Sequence, residues 1–407
     1  MNSAIGYSRE KDAYKAGQEV IYKACFSPQS EKPDLVLAFC TNDLDQPLFV
    51  KGMLAQLPPD TPVVGGTTVG IISNDIVSYR DHSAAALIVQ SDSIKPRIAY
   101  AEFDGDNEHE AGELLARRAA WNDQDRFIFL LYNMIKKERK HRNPPEMNSL
   151  LSILQGMRSA SQTTIPIFGG GSIGDYNFSS SRLFCCNGIS DAYLLGITFS
   201  GDFNFDYAVM HGCMPVDGEY HTITKNDGAM ILEIDERPAI EVLNDIYGSR
   251  DWQRELPLKE ITIGVNLGRK YGPYEERNYV NRLIAGPLML KKGIMTPEPD
   301  WQPGTEIQLM IRDNEEMMHS AQRRSEELLE KTVAAGKKPL LGLYVDCAGR
   351  TSYFSNSLIE EAAVVQNAFN KFKTPLFGFY SGFEIAPFLH ESRGLEWSGV
   401  LLLIATD

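Results

Sequence analysis

The chain has 407 residues, 43% of them hydrophobic and 23% charged, which is the composition of a globular protein with core enough for two or three domains. A formal net charge of -14 repels phosphate backbones and anionic lipid surfaces, so neither nucleic-acid binding nor membrane insertion is expected. No apolar run approaches the roughly 20 residues of a membrane span, and Arg9, Glu10, Lys11 and Asp12 stand where a signal peptide would be apolar. The six cysteines, Cys25, Cys40, Cys185, Cys186, Cys213 and Cys347, include no C-x-x-C pair, as expected of reduced thiols in a cytoplasmic protein.

Along the chain, one pattern recurs. "AIGYSREKDAYKAG" reads as a strand turning through polar capping residues into a helix, followed by the buried-strand run "DLVLAFC" from Asp34. After a further helical stretch come "TPVVGGTTVG", ending at Gly70, and the strand "SAAALIV" from Ser83. A second copy reads "RIAYAEFDGDNEHEAG", "RFIFLLY" from Arg126, "PIFGGGSIGD" from Pro166 and "AYLLGITF" from Ala192. Its basic run "KKERKHR", Lys136 to Arg142, is expected to be a solvated loop more readily than an anion site. From Phe203 to about Gln302 the unit is not clear. That stretch holds the strand-like "GAMILEID" and a helix from about Pro238, with Asp235 as a cap candidate and Gly248 as its stop, and a degenerate fourth copy stays open.

The third copy is read as "EIQLMIRDNEEMMHSA", with a helix from about Asn314 to Ala335 stopped at Gly336, then "PLLGLYV" from Pro339, "TPLFGFYSGFE" ending at Glu384, and "GVLLLIA" from Gly399. The repeating unit is therefore β-α-β-α-β-β, about 100 residues long. Such alternation predicts an α/β fold with mixed, mostly parallel sheets and helices on their faces.

Gly169, Gly171 and Gly174 fit G-x-G-x-x-G, the spacing of a dinucleotide-binding loop. That motif requires a helix to follow, and Tyr176-Asn177-Phe178-Ser179-Ser180-Ser181 has turn chemistry instead. Because "VVGGTT" and "LFGFYS" occupy the same place in the other copies, the glycines are expected to serve a sharp chain reversal after a buried strand.

"VVGGTTVGIIS" at Val63 to Ser73 and "IFGGGSIGDYNF" at Ile167 to Phe178 resemble the FIST N domain. "GAMILEIDERPAIEVL", "YVDCAGR" at Tyr344 to Arg350 and "PLFGFYSGFEIAP" at Pro375 to Pro387 resemble the FIST C domain of the same sensory family, which also occurs in some eukaryotic F-box proteins. The resemblance covers nearly the whole chain and divides it into an N-like domain over 1–205 and a C-like domain over 206–407. It implies a cytoplasmic sensor that binds a small ligand, an amino acid or small carboxylate, with no established catalysis and no cofactor. With no output domain in sight, the signal is expected to pass to a separate partner protein. Two departures border the implied pocket: Phe383-Glu384-Ile385 stands where the family has Gly-Glu-Ile, and Glu396-Trp397-Ser398 where it has Asn-x-Thr.

The expected ligand-binding residues are Cys347, Arg350, Ser381 and Glu384, because strand ends of one βαβ unit lie side by side. A guanidinium can clamp a carboxylate while a carboxylate takes an ammonium group, although Arg350 and Glu384 pairing with each other is an equal alternative. Thr67 and Thr68 in the first copy, with Thr41 and Asn42 nearby, and Gly170, Ser172 and Asp175 in the second, with Asn133, are candidates for a further pocket or for plain turn chemistry. Cys347 has no histidine near it in sequence, so a cysteine-dependent enzyme is a minor reading and no catalytic residue is assigned. The seven histidines show no metal-ligand spacing. Some members of the family are haem-based nitric oxide sensors, which makes haem, through His82, His211 or His221, the alternative cofactor reading.

Overall fold

A computed structural model describes the chain except residues 25–31, 80–81, 104–105, 139–144, 162–163, 186–187, 256, 390 and 407. Among the described residues, the strands form three six-stranded sheets, a sheet of nine strands and a small hairpin. Each six-stranded sheet is built around one parallel pair: Leu35–Thr41 with Val63–Thr68, Asp125–Asn133 with Ile167–Ser172, and Lys338–Cys347 with Leu376–Ser381. All other pairings within these sheets are antiparallel, so the mixed α/β expectation holds but the sheets are not mostly parallel.

Side chains alternate along the central strands with the period of two that a doubly covered sheet demands. Leu35, Leu37 and Phe39 join Phe127, Phe129 and Leu131 and Leu341, Leu343 and Val345 in one core shared by the three modules. Val36, Ala38 and Cys40 face the other way, onto the helices Ala13–Lys23 and Gln46–Leu54. Those two helices approach so closely that a methyl group on Gly17 would lie 2.1 Å from Phe49 O, and one on Gly52 2.0 Å from Tyr14 O. Gly112 and Gly156 repeat the arrangement in the second module, at 2.3 Å from Ile153 O and 1.9 Å from His109 O.

The modules are interlocked by exchanged hairpins. Between its last two long strands each module extends a short two-stranded arm, which completes another module's sheet. Ile71–Ser73 pairs with Leu376–Ser381, Leu183–Cys185 with Val63–Thr68, and Glu384–Phe388 with Ile167–Ser172. This cyclic exchange extends the β-α-β-α-β-β unit expected from sequence and gives the molecule a pseudo-threefold plan.

The first strand of the third module is Asn204–Met210, paired along its length with Gly399–Thr406. Glu306–Arg312, the "EIQLMIR" run, belongs to the nine-stranded sheet, where it pairs with Cys213–Pro215, His221–Asp227 and Ile261–Asn266. A subdomain spanning 213–312 is thus inserted between the strand and the helix of the third module. It is not a fourth copy: its core packs one helix, Ala239–Tyr247, on that sheet. The helix starts at Pro238 and ends at Gly248 (φ 64°) as expected, but Asp235 does not cap it and instead accepts from Thr222 N at 2.7 Å. The helix Asn314–Ala334 is as read, with Asp313 capping it and Gly336 (φ 76°) past its end.

Gly169 and Gly171 lie inside the strand Ile167–Ser172 and not in a reversal after it, and Gly174 follows the strand end. Gly65 and Gly169 adopt φ of 150° and 134°, and a Cβ there would lie 1.7 Å from Ala38 O and 1.9 Å from Leu130 O. Only glycine lets these strands approach their parallel neighbours in this conformation. After Gly174 the chain runs through turns to the strand Leu183–Cys185, with no helix to receive a phosphate. No described helix is long and apolar enough to cross a membrane.

Candidate functional site

The three parallel pairs end in step. Thr41 is aligned with Thr68, Asn133 with Ser172 and Cys347 with Ser381, so six polar side chains stand at the carboxyl ends of the central strands, all buried. Open α/β sheets bind ligands at such ends.

Hydroxyl groups knit these ends together around the pseudo-threefold axis. Thr68 Oγ1 donates to Tyr380 O at 2.6 Å, and Ser172 Oγ donates to Thr67 O at 2.6 Å. Symmetry would have Ser381 Oγ donate to Gly171 O. That carbonyl is taken instead by Gly382 N at 2.9 Å, and the Ser381 hydroxyl donates to Glu384 Oε1 at 2.7 Å. The break falls in the third module. Glu384 also accepts from Ser398 N at 3.2 Å and lies beside the Cys347 thiol. Burial raises the Glu384 carboxyl to about 8, against the hydrogen bonds from Ser381 and Ser398. Burial, and then Glu384, pushes the Cys347 thiol well up, which disfavours the thiolate.

In the third module these strand ends adjoin a buried ionic network. Asp346 occupies the position held by Cys40 and Tyr132 in the equivalent strands. Arg350, fully buried, donates to Glu361 Oε1, to His211 O at 3.0 Å and to Trp397 O at 2.9 Å, with its Nε 3.3 Å from Asp346 Oδ1. Burial is the largest cause raising both carboxyl groups; Glu361 adds to the rise at Asp346, whereas the Arg350 guanidinium opposes the rise at Glu361. Arg350 thus pairs with Glu361 and Asp346 and not with Glu384, and it has no exposed surface. Tyr176 shares a hydrogen bond with Thr351 Oγ1 at 2.6 Å and packs on Tyr353 and Phe354, and Phe354 packs on Trp397.

The other candidate residues make hydrogen bonds and strand pairings. Thr67 Oγ1 accepts from Arg182 N at 2.9 Å, Asn133 donates to Ser181 O at 2.8 Å, and Gly170 is aligned with Glu384 across an antiparallel pair. Asp175 closes a turn, accepting from Asn177 N, Ser179 N and Ser179 Oγ. Lys136 pairs with Asp106 and Glu108, and Lys137 with Glu146, while the rest of the basic run, from residue 139, lies outside the described residues. Among the histidines considered for haem, His82 pairs with Asp43 at 2.8 Å, His221 with Asp235 at 2.6 Å, and His211 is fully buried with both ring nitrogens engaged. Cys40, Cys185, Cys213 and Cys347 are buried. Cys25, Cys186 and His390 lie outside the described residues.

Asp346 and Glu361 were not anticipated from sequence, His211 was weighed only for haem, and Ser398 appeared only within the Glu396-Trp397-Ser398 departure. Asp346 carried a signal, a carboxylate inside an otherwise apolar strand run; the other three come close only through tertiary folding.

Two family models together match most of the chain, and they meet within the inserted subdomain. The FIST N domain model matches residues 34–237 and the FIST C domain model residues 239–387. Two uncharacterised proteins, from two strains of Mycobacterium tuberculosis, are 24% identical over 226 residues, covering 54% of this chain and 56% of theirs. The match thus spans little more than half the length of these relatives. Among solved structures, a cyanuric acid hydrolase from A. caulinodans is 8% identical with a TM-score of 0.34, over 100% of this chain and 99% of that chain. A chorismatase is likewise 8% identical with a TM-score of 0.35, over 100% and 98%. Matched by both family models in order, this chain belongs to the FIST family of sensory, ligand-binding signal-transduction domains.

Proposed function

We propose that the protein is a cytoplasmic sensor that binds a small amine-bearing ligand, such as an amino acid, at the mouth formed by Cys347, Ser381 and Glu384, and passes the signal to a separate partner. The observation that carries this reading is the broken symmetry at Ser381. Two modules spend the equivalent hydroxyl on holding a neighbouring strand, whereas the third turns it to a buried carboxyl group. A carboxyl group in such surroundings is a receptor for an ammonium group, which would supply the charge that burial denies it. A small carboxylate has less support, because Arg350 is enclosed by Glu361, Asp346 and two backbone carbonyls. Binding is favoured over cysteine catalysis because the raised Cys347 thiol has a carboxyl group as its neighbour and not a basic imidazole.

A melting-temperature screen with the common amino acids, simple amines and small carboxylates tests the proposal. A ligand present at 100 times its Kd stabilises by about 2.7 kcal/mol, a shift of a few degrees for a protein of this size. Amines are expected to stabilise and carboxylates lacking an amine to leave the melting temperature unchanged. Stabilisation by carboxylates alone would refute the assignment to Glu384.

A further inference from the structure

The inserted subdomain meets the third module at a junction that touches the proposed site. The chain enters the subdomain through His211, whose polar groups are all engaged. Its backbone N donates to Glu276 Oε1 at 2.6 Å, and its carbonyl accepts from Arg350 at 3.0 Å. Its Nδ1 accepts from Cys213 N at 2.9 Å, which leaves Nε2 carrying the proton and donating to Glu276 O at 3.0 Å. Burial lowers its pKa and keeps the ring neutral. Glu276, a residue of the insert, also accepts from Gly212 N at 2.7 Å and from Ser320 Oγ at 2.6 Å on the helix of the third module.

The exit is tied to the same place. Arg312 donates to Gly349 O at 2.8 Å and stacks 3.9 Å from the Trp397 ring centroid. Arg350 donates to Trp397 O, and the next residue, Ser398, donates its N–H to Glu384. An unbroken set of contacts thus runs from Glu384 through Ser398 and Trp397 to Arg350, His211 and Glu276. Within or beside it, Asp346 Oδ2, Glu361 Oε2, Arg312 Nε and Trp397 Nε1 are buried without a hydrogen-bond partner, and Arg350 Nε and Asp346 Oδ1 meet only as an ion pair at 3.3 Å. A buried network with this much unused bonding capacity has room for a second arrangement.

We infer that Arg350 and His211 couple the mouth of the third module to the subdomain 213–312, and that this subdomain registers occupancy of the site. The inference rests on the ligand reading above for its purpose, but the coupling itself is measurable without any ligand. Coupling is reciprocal, so loosening the junction from the insert side must change the exposure of the mouth.

The test is the rate at which iodoacetamide alkylates Cys347 in the native full-length protein, followed by peptide mass spectrometry with the buried Cys40 as internal reference. Glu276→Gln keeps the side chain's shape and weakens its grip on His211 and Gly212. Ser320→Ala is a milder variant that removes one support of Glu276. Both are expected to speed alkylation of Cys347, Glu276→Gln by about fivefold or more, with Cys40 unchanged. Unchanged Cys347 rates in both variants overturn the coupling. An equal rise at Cys40 overturns it too, because it reports general loosening. A ligand screen without hits would sink the ligand reading and leave these rates standing, so the two failures are distinguishable.

Discussion

Glu384 sits at about 8, far above the ordinary carboxylate value of 4.5, because burial penalises its charge. Between those values the native state holds a proton that the unfolded chain has released. The stability it contributes is fully present below pH 4.5 and is lost as pH rises toward 8. Glu298, at about 7, and Glu396, at about 8, act with the same sign. The melting temperature is therefore expected to fall between pH 5 and 8, and Glu384→Gln to flatten that fall, each pKa unit being worth about 1.4 kcal/mol. Parallel pH profiles for the two proteins would count against the buried carboxyl. Arg350 gives a second prediction at this scale. Arg350→Ala leaves Asp346 and Glu361 buried without their cation, which typically costs about 3–5 kcal/mol. Urea unfolding measures it, and a loss below about 1 kcal/mol would mean that the network is not held by this guanidinium.

At the scale of elements, the glycine strands are the sharpest case. Gly169→Ala places a methyl group 1.9 Å from Leu130 O at a φ of 134°, so backbone strain and overpacking together should cost about 3 kcal/mol or more. Gly304→Ala, at φ 93° with nothing within 4 Å, should cost only the conformational strain, about 1–2 kcal/mol. Comparable losses at the two positions in chemical denaturation would show that close strand approach is not the constraint. These strands also show what the sequence made legible. Their recurrence was visible because the same Pro, bulky pair and Gly punctuate each parallel pair, and the long apolar runs gave the central strands. Glycine as a strand residue was not visible, since a Gly-rich run has the composition of a turn whether or not a neighbouring carbonyl excludes a side chain.

Across the whole molecule, the exchanged hairpins make the three modules depend on one another. The second module's sheet needs Glu384–Phe388, and the third's needs Ile71–Ser73. A fragment ending at residue 203 leaves the edge of Ile167–Ser172 uncovered, so it is expected to be aggregation-prone, while the full chain unfolds its modules in one calorimetric transition. A stable, soluble fragment would contradict the interlock. This exchange and the insertion were hidden for one reason: both pair segments far apart in the chain, and local periodicity carries no information about partners. The misread first strand of the third module follows from it, because "EIQLMIR" has the same local pattern as Asn204–Met210 and only pairing tells them apart. The cluster of Cys347, Ser381 and Glu384 was legible from strand ends alone; the inward turn of Arg350 to Glu361 was not.

The central claim is that the third module's mouth receives an amine at Glu384. Isothermal titration of the best amine from the screen, in buffers of differing ionisation enthalpy at pH 7, tests it most directly. Because Glu384 holds a proton below about 8 and an ammonium group needs the carboxylate, binding should release close to one proton, and affinity should fall about tenfold per pH unit below 8. Glu384→Gln should abolish the proton release and weaken binding at least about tenfold. Equal affinity in folded Glu384→Gln, or binding with no proton released, would contradict the account.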